Sequence, residues 1–117
     1  MQLRMRLREP AIGPFIAAGQ TAAAFTREEV AAAPALPGVY FLYRAEHLVY
    51  IGIAVHGSGI RQELQAHLQG LYGRGTQAAT SFRYELTRDP VVVSGQYLQA
   101  HRAQHGGRLP FFNARES

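Results

Sequence analysis

The sequence predicts an α+β domain in which helices flank a small antiparallel sheet of three strands, with a strand and a helix added in front. Three stretches carry that expectation. Gly38 to Gly52 holds two apolar, β-branched and aromatic runs around a short polar centre, the pattern of a β-hairpin. Ile60 to Leu68 spaces its apolar residues at helical intervals, and Ser81 to Thr87 alternates like a strand.

Taken in order, Gln2–Arg8 alternates Leu3, Met5 and Leu7 with Arg4, Arg6 and Arg8, which predicts a half-buried strand with a basic outer face. That arginine row suits either a solvated edge that discourages aggregation or a contact with phosphates. Residues 9–20 contain Pro10, Gly13, Pro14 and Gly19 and are expected to be loop. Thr26, followed three positions later by Glu29, is a capping-box signal for a short helix through Ala33 that Pro34 stops.

In the hairpin, a loop of Arg44, Ala45 and Glu46 places Tyr40 opposite Tyr50 and Val39 opposite Ile51. Tyr40, Leu42, Leu48 and Tyr50 then share one face, and Val39, Phe41, Val49 and Ile51 the other. The loop has no Gly or Asn to adopt a positive φ, so the register is inferred from pattern and not from turn chemistry. Residues 53–59 are expected to be a plain connection.

On a helical wheel Ile60, Leu64, His67 and Leu68 form one stripe, so the helix packs on the sheet with His67 inward. Arg61 and Glu63 fall on its two margins. Gly70–Thr80 is expected to be loop, with Arg74 between glycines as a candidate phosphate contact. In the next strand Phe82, Tyr84 and Leu86 are expected inward, and Arg83 and Glu85 outward. Asp89-Pro90 marks a turn, Val91–Val93 is ambiguous, and Ser94 is the expected N-cap of a helix from Gly95 to His105 that Gly106 stops. The tail to Asn113 is expected to fold back on the sheet.

The chain's 117 residues suit one domain with a core of its own. Residues 1–36 are an N-terminal extension packed on the core, and residues 37–117 the core itself. No apolar run approaches the roughly 18 residues of a membrane span, and no apolar stretch follows the charged first residues as a signal peptide requires. A cytoplasmic location is expected. The absence of cysteine excludes disulfides and thiolate metal sites. All 12 basic side chains are arginine, and the formal net charge of +4 weakly favours polyanions.

Gly38-Val39-Tyr40 and Tyr50-Ile51-Gly52 resemble the paired motif of the GIY-YIG nucleases. The resemblance continues through Gly52-Ile53-Ala54, the helix ending in His67-Leu68, and Leu109-Pro110-Phe111-Phe112-Asn113. It implies a ββαβα core and a DNA endonuclease that uses a divalent metal, Mg or Mn. It also implies roles. Tyr40 and Tyr50 match the motif tyrosines that handle the attacking water. Gly52 matches the glycine of close approach, His67 a histidine found in some members, and Asn113 the closing asparagine.

Two departures bear on activity. The family's phosphate-holding arginine falls at Glu63, and Arg61 lies two positions earlier on the other flank. The family's metal-binding glutamate falls at His101 or near Gln99, and residues 95–115 contain no carboxylate. His101 and Glu63 are therefore the candidate metal ligands. Two functions follow as expectations: a metal-dependent DNA endonuclease using Tyr40, Tyr50, Arg61 and His67, or a degenerate member that binds nucleic acid or a protein without cutting.

Overall fold

The computed structural model describes residues 22–57 and 59–114. Within it the elements run β1 (Ala23–Ala24), α1 (Arg27–Ala31), β2 (Gly38–Arg44), β3 (His47–Ala54), α2 (Gly59–Leu68), α3 (Arg74–Gln77), β4 (Ser81–Leu86), α4 (Pro90–Gln104) and α5 (Phe111–Ala114). The strand expected over Gln2–Arg8 and the loop expected over 9–20 lie outside the described residues.

The sheet is antiparallel and has four strands among the described residues, in the order β1-β4-β2-β3. The strand missed from sequence is β1, two alanines paired with Phe82 and Ser81. Two residues are too few to show an alternation. Phe25 then packs its ring edge-on against Phe82, with centroids 6.1 Å apart. Thr26 caps α1 as its capping box predicts, accepting a hydrogen bond from the Glu29 amide.

Strand β2 is central and buried from Gly38 to Tyr43 because helices cover both faces of the sheet. Tyr40, Leu42 and Phe82 face α1 and α2, packing with Val30, Ile60 and Leu64. Val39, Phe41, Tyr43 and Ile51 face α4, packing with Val93, Tyr97 and Leu98. A sheet covered on both sides does not sort core from solvent by alternation. That corrects part of the expectation for β4: Phe82 is inward and Glu85 exposed as expected, but Arg83, Tyr84 and Leu86 are not as expected. Arg83 lies over the Phe41 ring and donates to the Tyr43 hydroxyl, and Glu85 accepts from Tyr97 under α4. Tyr84 and Leu86, expected inward, are 41% and 45% exposed, since α2 packs over β2 and β3.

The hairpin register also differs from expectation. The turn has two residues, Ala45 and Glu46, both at positive φ (51° and 72°), and Arg44 faces His47. A β-bulge follows: Tyr43 faces Leu48, Leu42 faces Tyr50, and Val49 has no opposite number. Tyr40 therefore faces Gly52, not Tyr50. Turn and bulge each shift the register by one residue in the same direction. Together they restore the parity of faces, so Tyr40 and Tyr50 still point to one side. Between turn and bulge the parity is reversed, and Leu48 and Val49 exchange their expected faces.

Helix α4 begins at Pro90, earlier than expected, with Asp89 at the N-cap position. Proline at the first helical position loses nothing, because that N–H has no intrahelical acceptor. Ser94 is then an interior residue whose hydroxyl donates to the Val91 carbonyl. The helix ends near Gly106, as expected, with the Gly107 amide bonded to the Arg102 carbonyl.

The left-handed turn at Ala45 and Glu46 is costly for residues bearing a Cβ, at about 1 kcal/mol each. Replacing the pair with Asn-Gly is expected to stabilise the protein by about 1 kcal/mol, read as a higher urea midpoint with an unchanged m-value.

Candidate active site

Strands β2 and β3 deliver Tyr40 and Tyr50 to the face over which α2 lies, and the apolar stripe of α2 turns His67 toward them. His67 is fully buried, as its place on the stripe predicts. The Tyr40 ring lies 5.5 Å from the imidazole and 6.1 Å from Tyr50, and Tyr50 lies 5.1 Å from the imidazole, all between centroids. The Tyr40 hydroxyl and His67 Nε2 share a hydrogen bond of 2.8 Å.

Gly52 is the condition for this arrangement. A Cβ there would sit 2.2 Å from Cζ of Tyr40 and 2.4 Å from its hydroxyl oxygen. The two residues are direct cross-strand partners, so the ring of Tyr40 lies across bare backbone.

The other nitrogen of His67, Nδ1, is bonded at 2.7 Å to the hydroxyl of Thr76, a buried residue of α3. Sequence reasoning missed Thr76, because residues 70–80 read as loop and a one-turn helix has no periodicity to detect. It also missed Tyr72, whose ring packs 4.5 Å from the imidazole and whose hydroxyl donates to Glu63 Oε1 at 2.9 Å. Burial lowers the pKa of His67 to about 4, so the imidazole is neutral at pH 7. A neutral imidazole has one N–H and one lone pair. One of the two hydroxyls therefore donates to it and the other accepts from it, giving a polarised chain Tyr40–His67–Thr76.

The remaining candidates are placed elsewhere. Arg61 donates from Nε to the Ala33 carbonyl at 2.8 Å, which commits its side chain to the end of α1. Arg74 is exposed at the start of α3. Asn113 makes two bonds to one backbone residue, accepting from the Ile51 amide at 2.8 Å and donating to its carbonyl at 2.9 Å. His101 bonds the Arg108 carbonyl through Nδ1, stacks on His105 at 3.9 Å, and has a pKa lowered by burial. It lines a hollow of about 310 Å³ with His47, His105, Arg108 and Phe111, and none of Tyr40, Tyr50 and His67 borders that hollow.

This architecture has counterparts among solved structures. Two crystal structures of the GIY-YIG N-terminal endonuclease domain of UvrC from Thermotoga maritima match it, each a point mutant bound to its catalytic divalent cation. Identities are 20% and 19%; in each case the TM-score is 0.52, and the match covers 65% of this chain and 88% of the other. The chain has a GIY-YIG fold. No protein-family model and no curated protein matches the sequence.

The residues around the GIY-YIG tyrosines do not fit a divalent cation. Among the described residues no three His, Asp or Glu side chains are grouped to hold a metal. Both nitrogens of His67 are bonded inside the protein, and the Glu63 carboxylate accepts from Tyr72.

Two outcomes are expected. Gly52→Ala is expected to lose at least about 2 kcal/mol in urea unfolding, since either Tyr40 or β3 must move. For pH, the unfolded chain binds a proton at His67 near pH 6.5 and the folded chain only near pH 4. The contribution of neutral His67 is therefore full above pH 6.5 and is lost as pH falls toward 4. Wild type is expected to lose on the order of 2–3 kcal/mol more than His67→Gln between pH 7 and 4.5.

Proposed function

We propose that this chain is a GIY-YIG domain that binds nucleic acid on its Tyr40–His67 side and does not hydrolyse it by a metal-dependent route. The hydrogen-bond chain Tyr40–His67–Thr76 carries the reading. The group best suited to take a proton or hold a cation is neutral, buried and saturated by protein partners. Two further features support it. Glu63 occupies the place where the family pattern has an arginine, and Arg61 is drawn to the end of α1. The net charge of +4, all of its positive part from arginine, supports a polyanionic partner, and DNA in the cytoplasm is the partner this reading names. Residues 37–117 form the GIY-YIG unit in this reading, and residues 1–36 its extension.

A second reading is the metal-dependent DNA endonuclease, with Mg or Mn. One observation favours it: a tyrosine hydroxyl held 2.8 Å from a neutral imidazole is placed to lose its proton. In that reading Tyr40, Tyr50, Arg61 and His67 act on the phosphodiester, and Gly52, Arg74 and Asn113 line the strand. It requires Glu63 or His101 to leave its present partner.

The test uses labelled single- and double-stranded DNA with Mg²⁺, with Mn²⁺ and with chelator, on wild type and Tyr40→Phe. The expected result is binding that survives chelator and falls steeply with salt, with no cutting. Metal-dependent cutting that disappears in Tyr40→Phe would establish the endonuclease instead.

A further inference from the structure

Beside His67, the chain presents an aromatic platform next to a carboxylate. Tyr72 is 50% exposed although its ring packs on the buried imidazole. Its hydroxyl is pinned to Glu63, which lies one turn before His67 on α2. Leu71 beside it is 70% exposed, and the exposed Arg74 follows after a single glycine. A large ring with its edge anchored and half its surface in solvent is suited to stacking, and every nucleobase offers a flat face.

The charge at this spot decides what kind of contact is made. A carboxylate repels a phosphate, so Glu63 does not hold the strand's backbone. It accepts hydrogen bonds, and the donors that nucleic acid offers are the amino groups of cytosine, adenine and guanine. In a duplex an amino group still shows one hydrogen in a groove, but the base faces are stacked on one another, so a base cannot lie on Tyr72 while its edge meets Glu63. The two contacts are open together only when the base is unpaired.

We infer that the Tyr72–Glu63 pair is a subsite for an unpaired nucleobase, stacked on Tyr72 with an amino edge toward Glu63, and that the domain selects single-stranded over duplex nucleic acid. The inference rests on the nucleic-acid reading above and names its substrate class. Arg74, two residues after Tyr72, supplies the cation for the adjoining phosphate.

Fluorescence polarisation on labelled 12-mers of dC, dA and dT and on a blunt-ended two-strand duplex, at fixed salt with chelator, tests it. Wild type is expected to bind dC and dA strands about tenfold more tightly than the duplex, and several-fold more tightly than dT. Tyr72→Ala is expected to weaken single-strand binding about tenfold and leave duplex binding unchanged. Tyr72→Phe keeps the stacking face and is expected to retain most of the affinity. Glu63→Gln is expected to narrow the gap between dC or dA and dT. Thermal melts of each variant show that it is folded. Salt-sensitive binding that is equal for strand and duplex and indifferent to Tyr72→Ala overturns the subsite and leaves nucleic-acid binding standing. Absence of binding to every oligonucleotide overturns both.

Discussion

A buried imidazole needs partners for its nitrogens, and burial favours its neutral form. His67 has those partners in Tyr40 on one side and Thr76 on the other. Much of the domain is arranged around those two bonds. The hairpin must bring Tyr40 under α2, Gly52 must leave room for its ring, and α3 must return the chain so that Thr76 reaches Nδ1. Gly75, next to Thr76, lies against the ring of Phe112, so even the position of α3 depends on the C-terminal segment. The motif residues are thus part of a packing unit as much as a chemical one.

The fold was legible in the sequence where its signals were local. The Tyr40 and Tyr50 runs, the stripe that turns His67 inward and the capping box at Thr26 each encode their geometry within a few residues. What was hidden depended on the whole. The turn at Ala45 and Glu46 uses left-handed backbone without the residues that advertise it, and the bulge at Val49 is marked by nothing in the composition. The two irregularities cancel for the tyrosines but not for Leu48 and Val49. Alternation in β4 was read as inside and outside, yet both faces of the sheet are covered over most of its area. Arg83 therefore makes a partly buried contact with Tyr43 that its outward reading does not foretell. Thr76 and Tyr72 reach the site from a glycine-punctuated segment whose sequence predicts only a connection.

The fold and the chemistry of this chain point in different directions. Tyr40, Tyr50, Gly52 and His67, which match the GIY-YIG motif, are packed together, and Tyr40 and His67 share a hydrogen bond. The charged residues that the motif resemblance points to are engaged elsewhere: Glu63 accepts from Tyr72, and His101 is bonded to a backbone carbonyl. Tyr40, Gly52 and His67 are buried in the core, whereas Arg61 is exposed and Glu63 partly so.

Asn113 shows what else the C-terminal segment does. Its side-chain amide offers one acceptor and one donor to the amide and carbonyl of Ile51, as a peptide group in a neighbouring strand would. Among the described residues β3 is the last strand of the sheet on that side, and α5 packs against it. The asparagine thus impersonates a fifth strand at a single rung. An open sheet edge is a template onto which any extended chain can add. By occupying that rung the side chain closes to other chains one backbone donor and one backbone acceptor of the β3 edge.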